Sequence, residues 1–238
     1  MAVILERHET MKQILIFLLI LNFSNSFGQL AIVTDKDNFV NVRKDGTQNS
    51  KVVDKLQNGH LIYCFEDNGN WTNIDYDKNG KDGNGYLYKD RYKLVSNFPA
   101  IPTSKKLDNS ITLKKDTIEV SISQSKFDKK KHTFKYVNGN PTQIDLIDNK
   151  QYWGMDGGMP TTQFEKIIIK IGQKTILLPK TAIEGLYQPS FHNVEVNYDN
   201  ENNTIYIQTV NSDGAGSYLA IWRVENGIYK DRLIAYGF

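Results

Sequence analysis

The sequence predicts an all-β protein: a small, partly open barrel at the N-terminal side, then a second antiparallel β domain. Two observations carry that expectation. From Ile32 to Val95, short apolar runs alternate with turn clusters, and none keeps apolar residues at helical spacing over three turns. Thirteen tyrosines and recurrent Asn-Gly and Asp-Gly steps favour strands joined by tight turns.

The first element is an export signal. Lys12 precedes an apolar run from Ile14 to Leu21, and small polar residues follow up to Gly28, the order a signal peptide requires. The run is shorter than the ~20 apolar residues that span a bilayer, so no membrane span is expected. Residues 1–28 are set aside as the signal, with Met11 as an alternative start and cleavage near Gly28-Gln29. The only cysteine, Cys64, lies far from that point. Lipid anchoring, which needs a cysteine at the first mature position, is therefore not expected, and the location is periplasmic or secreted. One cysteine also rules out an intramolecular disulfide, and between Tyr63 and Phe65 it reads as a buried strand residue. The formal net charge of +2 is near balance and favours neither nucleic acid nor anionic lipid as partner.

Residues 29–97 form the first domain. Its expected strands are Phe39-Val40-Asn41-Val42, Val52-Val53, Leu61-Ile62-Tyr63, Trp71-Thr72-Asn73-Ile74 and Tyr86-Leu87-Tyr88, at the regular intervals of a small barrel that pairs its own edges. The ordered set Asn41-Val42-Arg43, Gly59, Gly69-Asn70-Trp71 and Gly85-Tyr86-Leu87 resembles the bacterial SH3-like family, with Tyr86 where that family more often has Trp. The resemblance covers about a quarter of the chain. It implies a partly open barrel that recognises peptidoglycan or short envelope peptides. Read as residues, Trp71 and Tyr86 make either a flat platform with polar tips or part of the barrel core. Arg43 either grips a ligand carboxylate or pairs with Asp45 or Asp54.

Between Ile74 and Tyr86 a long connection departs from the family pattern. Asp75, Asp77 and Asn79 alternate and Gly80 follows, as at the opening of an EF-hand loop, which makes them candidate calcium ligands. Position twelve is Tyr86, not a bidentate Glu, and the competing reading is a solvated hairpin tip. No other cofactor is indicated.

Residues 98–106, with Pro99 and Pro102, read as a semi-rigid linker, and residues 107–238 as the second β domain. There Ile118, Val120 and Ile122, Val194, Val196 and Tyr198, and Ile205 and Ile207 alternate with polar residues, as half-buried strands with one wet face do. Asn138-Gly139 and Asn226-Gly227 are hairpin signals, and Thr181 to Leu186 reads as a short helix. About eight strands are expected, in a sheet, sandwich or second barrel. Two glycine loops, 152–160 and 211–218, contribute Trp153, Asp156, Asp213 and Tyr218 as candidate ligand-binding residues. The competing reading is turn geometry alone. The pair of loops resembles those of secreted bacterial proteins of unassigned function, which carries no activity across.

Catalytic motifs are missing. Gly214-Ala215-Gly216-Ser217-Tyr218 puts serine in the wrong frame for a hydrolase elbow, and the dispersed His60, His132 and His192 form no zinc motif. Lys126, Lys129, Lys130, Lys131, His132 and Lys135 lack the interleaved aromatics of a nucleic-acid surface. The expectation is an exported, non-enzymatic binding protein. Its SH3-like module would take peptidoglycan or an envelope peptide or protein, and its second domain another ligand. The alternatives are an inhibitor or immunity partner of a wall-targeting enzyme or toxin, and a hydrolase using Asp156 and Asp213.

Overall fold

The computed structural model describes residues 29–236, so the signal-peptide reading of residues 1–28 lies outside the described residues. The chain is all-β, as its turn chemistry and alternation predict. The first unit contains β1 (Gln29–Val33), β2 (Phe39–Arg43), β3 (Val52–Gln57), β4 (Leu61–Asn68), β5 (Trp71–Asp77), β6 (Asp82–Tyr88) and β7 (Tyr92–Leu94). They form one antiparallel sheet in the order β3-β2-β6-β5-β4-β1-β7, whose ladder stays open between β3 and β7. Val40, Val42, Leu56, Ile62, Cys64, Ile74 and Leu87 point to one side and are buried there without a residue from outside the unit, so the sheet curls over its own face.

The second unit is a sandwich. Its strands are β8 (Thr103–Leu107), β9 (Ser110–Lys115), β10 (Ile118–Lys126), β11 (Phe134–Tyr136), β12 (Ile144–Ile147), β13 (Thr162–Ile171) and β14 (Lys174–Leu177). After one helical turn, α1 (Lys180–Ile183), come β15 (Asn193–Asp199), β16 (Thr204–Asn211), β17 (Tyr218–Glu225) and β18 (Ile228–Tyr236). One sheet runs β14-β13-β10-β9-β8 and the other β15-β16-β17-β18, while β11 and β12 form a separate ribbon. Val120, Ile122, Ile167 and Ile169 of the first sheet share a core with Ile205, Ile207, Ala220 and Trp222 of the second.

The four-stranded sheet is buried on both faces, which corrects the expectation of a wet face. Ile205 and Ile207 enter the sandwich core, while Tyr206 between them points the other way. There Tyr206, Ile221, Leu233 and Ala235 pack against Leu30, Ile32, Leu61 and Tyr63 of the first unit. Alternation in β16 therefore separates two apolar interfaces, and Ile221, fully buried, contributes about 1.5–3 kcal/mol by burial alone.

The segment from Phe98, read from its prolines as a linker, is docked. Phe98 stacks on Tyr206 at 5.4 Å, Ile101 enters the sandwich core, and backbone bonds tie Pro99 to Tyr198 and Ile101 to Val196. Asn197, itself buried, donates from Nδ2 to the Phe98 carbonyl at 2.9 Å and accepts from Gln208 on its Oδ1. Thr103 to Leu107 then forms the edge strand β8.

Among the turns, Asn226-Gly227 forms the two-residue connection between β17 and β18, with φ of 53° and 69°. Asn138-Gly139 also adopts left-handed φ but sits in a longer connection between β11 and β12, where a helical turn (Val137–Gly139) follows β11 directly. The connection between β5 and β6 is shorter than its polar composition predicts: the ladder runs to Asp77 opposite Asp82, and Asn79-Gly80 turns the chain with φ of 59° and 75°.

Candidate functional site

Two concave surfaces are built from residues that the sequence singles out. The first lies on the outer face of the N-terminal sheet. In β5 and β6 the residues alternate, so Thr72, Ile74 and Leu87 point inward and Trp71, Asn73, Tyr86 and Tyr88 outward. Trp71 and Tyr88 are register partners whose rings meet edge to face, 5.4 Å apart at 86°. Arg43, opposite Tyr86 on β2, brings its guanidinium carbon to 6.0 Å from the Trp71 ring centre. The three residues Arg43, Trp71 and Tyr88 border a groove of about 680 Å³.

Arg43 pairs with neither of its two expected carboxylates. Its Nη1 donates to the Ser50 carbonyl at 2.7 Å, while Asp45 is engaged by the Ser50 hydroxyl and Asp54 by Lys78 and Tyr76. The polar end of the groove is closed by Arg91, which Asp35 and Asp90 hold in place. The Asp35 carboxyl lies below its usual pKa, first because the Asp37 backbone N–H donates to it and then because of Arg91. Tyr86 is half-buried beside Trp71 over Gly46, whereas Tyr88 borders the groove. The signal for Tyr88 was present: it lies two residues after Tyr86 on the same strand face.

The second surface is a cleft of about 670 Å³ between the units. The β5–β6 hairpin forms one wall, the end of β18 the floor, and the two glycine loops the other wall. The loops do meet. The Ser212 hydroxyl donates to the Gly154 carbonyl at 2.8 Å, and a Cβ on Gly216 would stand 3.1 Å from the Met155 nitrogen. Gly154, at φ 101°, brings its backbone so close to the Tyr187 carbonyl that a Cβ would lie 2.2 Å from that oxygen.

Within this arrangement the four candidates separate. Trp153 lines the cleft, its ring 4.8 Å from that of Tyr236 and 6.2 Å from that of Tyr218. Tyr218 is completely buried and donates its hydroxyl to the Tyr187 carbonyl at 2.9 Å, and burial pushes its pKa well above the ordinary value. It is a packing residue under the cleft. Asp156 and Asp213 are both exposed, and neither is among the residues that line the cleft.

The candidate calcium ligands stand on a strand and its turn. Asp75 Oδ1 accepts from Asn84 Nδ2 at 2.6 Å, Asp77 Oδ1 accepts from the Gly80 N–H at 2.9 Å, and Asn79 is the first turn residue. The carboxylates of Asp75 and Asp77 are thus each engaged by a donor of their own hairpin. Of the three, Asp75 lines the cleft.

Comparison with family models, with curated proteins and with solved structures finds no match to this chain.

Proposed function

We propose that this chain is an exported cell-envelope binding protein whose N-terminal unit takes short peptides, including peptidoglycan stem peptides, on the Arg43, Trp71 and Tyr88 groove. The observation that supports this reading is the outward placement of an edge-to-face aromatic pair beside a guanidinium. Tyr and Trp offer rigid apolar faces with polar tips, and a guanidinium at the edge matches a carboxylate in bidentate geometry. A peptide with an apolar stem and a free carboxylate has both complementary parts. The ordered resemblance to the bacterial SH3-like family points the same way.

The test is retention on purified cell-wall sacculi. The unmodified protein is expected in the pellet, with Trp71→Ala and Arg43→Ala both shifted to the supernatant. If the unmodified protein stays wholly in solution, or if both variants sediment as it does, the reading is wrong.

A further inference from the structure

We propose that the cleft between the two units is a separate binding site for a ligand that presents an alkylammonium group. Its charge is one-sided. Asp75 and Asp82 line it from the hairpin, and among the described residues that border it there is no Lys, Arg or His. The whole chain is slightly basic at +2, so this anionic lining is not the local sample of an acidic protein. The groove on the first unit differs, because Arg43 and Arg91 offset Asp37 and Asp90 there.

The aromatic content matches the charge. Trp153 and Tyr236 stand with ring centres 4.8 Å apart and planes inclined at 59°, and Tyr236, 67% exposed, forms the rim. A cation over such faces is attracted by the ring quadrupoles, and a desolvated one more strongly. Two ring planes at an open angle also offer apolar surface to the methylenes behind the charge. Tyr152, on the same wall, has its hydroxyl pKa raised, first by burial and then by the negative charges of Asp145 and Asp156.

Asp75 is held for this role by the hairpin register. It lies opposite Asn84, whose amide donates to it at 2.6 Å and fixes its carboxylate against the strand. An ammonium placed between Asp75 and the rings gains a charge-assisted hydrogen bond and ring contacts together. An anionic ligand meets like charge on the same wall. Both units contribute wall residues, so the site exists only when they are docked.

Titration of the full protein with cadaverine at low salt, followed by calorimetry, tests this. Cadaverine is expected to bind, and the uncharged isostere 1,5-pentanediol to give no heat. The double variant Asp75→Asn/Asp82→Asn should weaken binding by about tenfold or more, and Tyr236→Ala by a smaller factor, with unchanged melting temperatures. Because Tyr236 is exposed, its variant reports the rim without disturbing the core. Trp71→Ala should leave cadaverine binding intact, which separates this site from the groove proposed above. No heat from cadaverine overturns the proposal. So does equal binding of pentanediol, or undiminished affinity in the double Asp variant.

Discussion

The Tyr218 hydroxyl donates to the backbone carbonyl of Tyr187 at 2.9 Å, with Tyr218 fully buried beneath the glycine loops. This bond links β17 to the segment that follows α1 and fixes the height at which Trp153 sits above it. Tyr218→Phe removes one buried hydrogen bond while keeping the ring, so a loss of about 1 kcal/mol is expected in urea unfolding. Sacculus binding should not change. A variant as stable as the parent would show that the bond contributes nothing.

Gly154 permits the same close approach. Gly154→Ala places a methyl against the Tyr187 carbonyl at a left-handed φ, and its cost is on the order of 3 kcal/mol. Thermal melts of this variant should fall well below those of Gly158→Ala. The Gly158 site has no positive φ and only the flexible end of Met155 nearby, at 3.5 Å. Equal melting temperatures would refute the packing account.

Tyr88, not Tyr86, is expected to serve the groove. Tyr88→Ala should reduce peptide or sacculus binding by about tenfold, within the range of aromatic contact residues, while Tyr86→Ala mainly lowers stability. The measurement is binding of both variants after their melting temperatures are known. The reverse pattern would return the role to Tyr86.

The interface between the units should make unfolding cooperative. Ile221 sits in the cluster joining the four-stranded sheet to β1 and β4, so Ile221→Ala is expected to cost about 2–5 kcal/mol. Circular dichroism and tryptophan fluorescence should report one coincident transition. Two separated transitions in the unmodified protein would mean that the units fold independently.

His60 gives that stability a pH dependence. Burial, the largest influence, holds its imidazole below the ordinary 6.5, and Arg223 and Lys78 add to this against the opposing pull of the Asp77 backbone and Asp231. The unfolded chain therefore binds this proton at a higher pH than the folded one. The contribution is complete above pH 6.5 and is lost as pH falls from there through the lower folded value. Melting temperatures measured at pH 7.5, 6 and 5 should fall less steeply for His60→Gln than for the parent. Parallel slopes would exclude His60 as the source.

Periodicity and turn chemistry make much of the fold legible in the sequence. The strands around Val40, Leu61, Ile74, Val120 and Ile205 follow from alternation, and Asn226-Gly227 from its need for positive φ. The choice of a sandwich over a single sheet or a second barrel was not legible, because alternation tells which residues share a face but not what covers it. Tyr206 shows the difference: its position opposite Ile205 and Ile207 is a sequence property, whereas its burial depends on Phe98 and the first unit docking there.

The candidate sites divide in the same way. Strand period by itself puts Tyr86 and Tyr88 on one face of β6, but it left Trp71 between platform and core, and only the pairing of β2, β5 and β6 set Arg43, Trp71 and Tyr88 side by side on the outer face. Only the tertiary structure decided that Trp153 opens on a cleft, that Tyr218 lies under it, and that Asp75 faces both loops. Those placements join residues far apart in the chain through packing of separate sheets, and no local pattern encodes the distance between surfaces that meet only after folding.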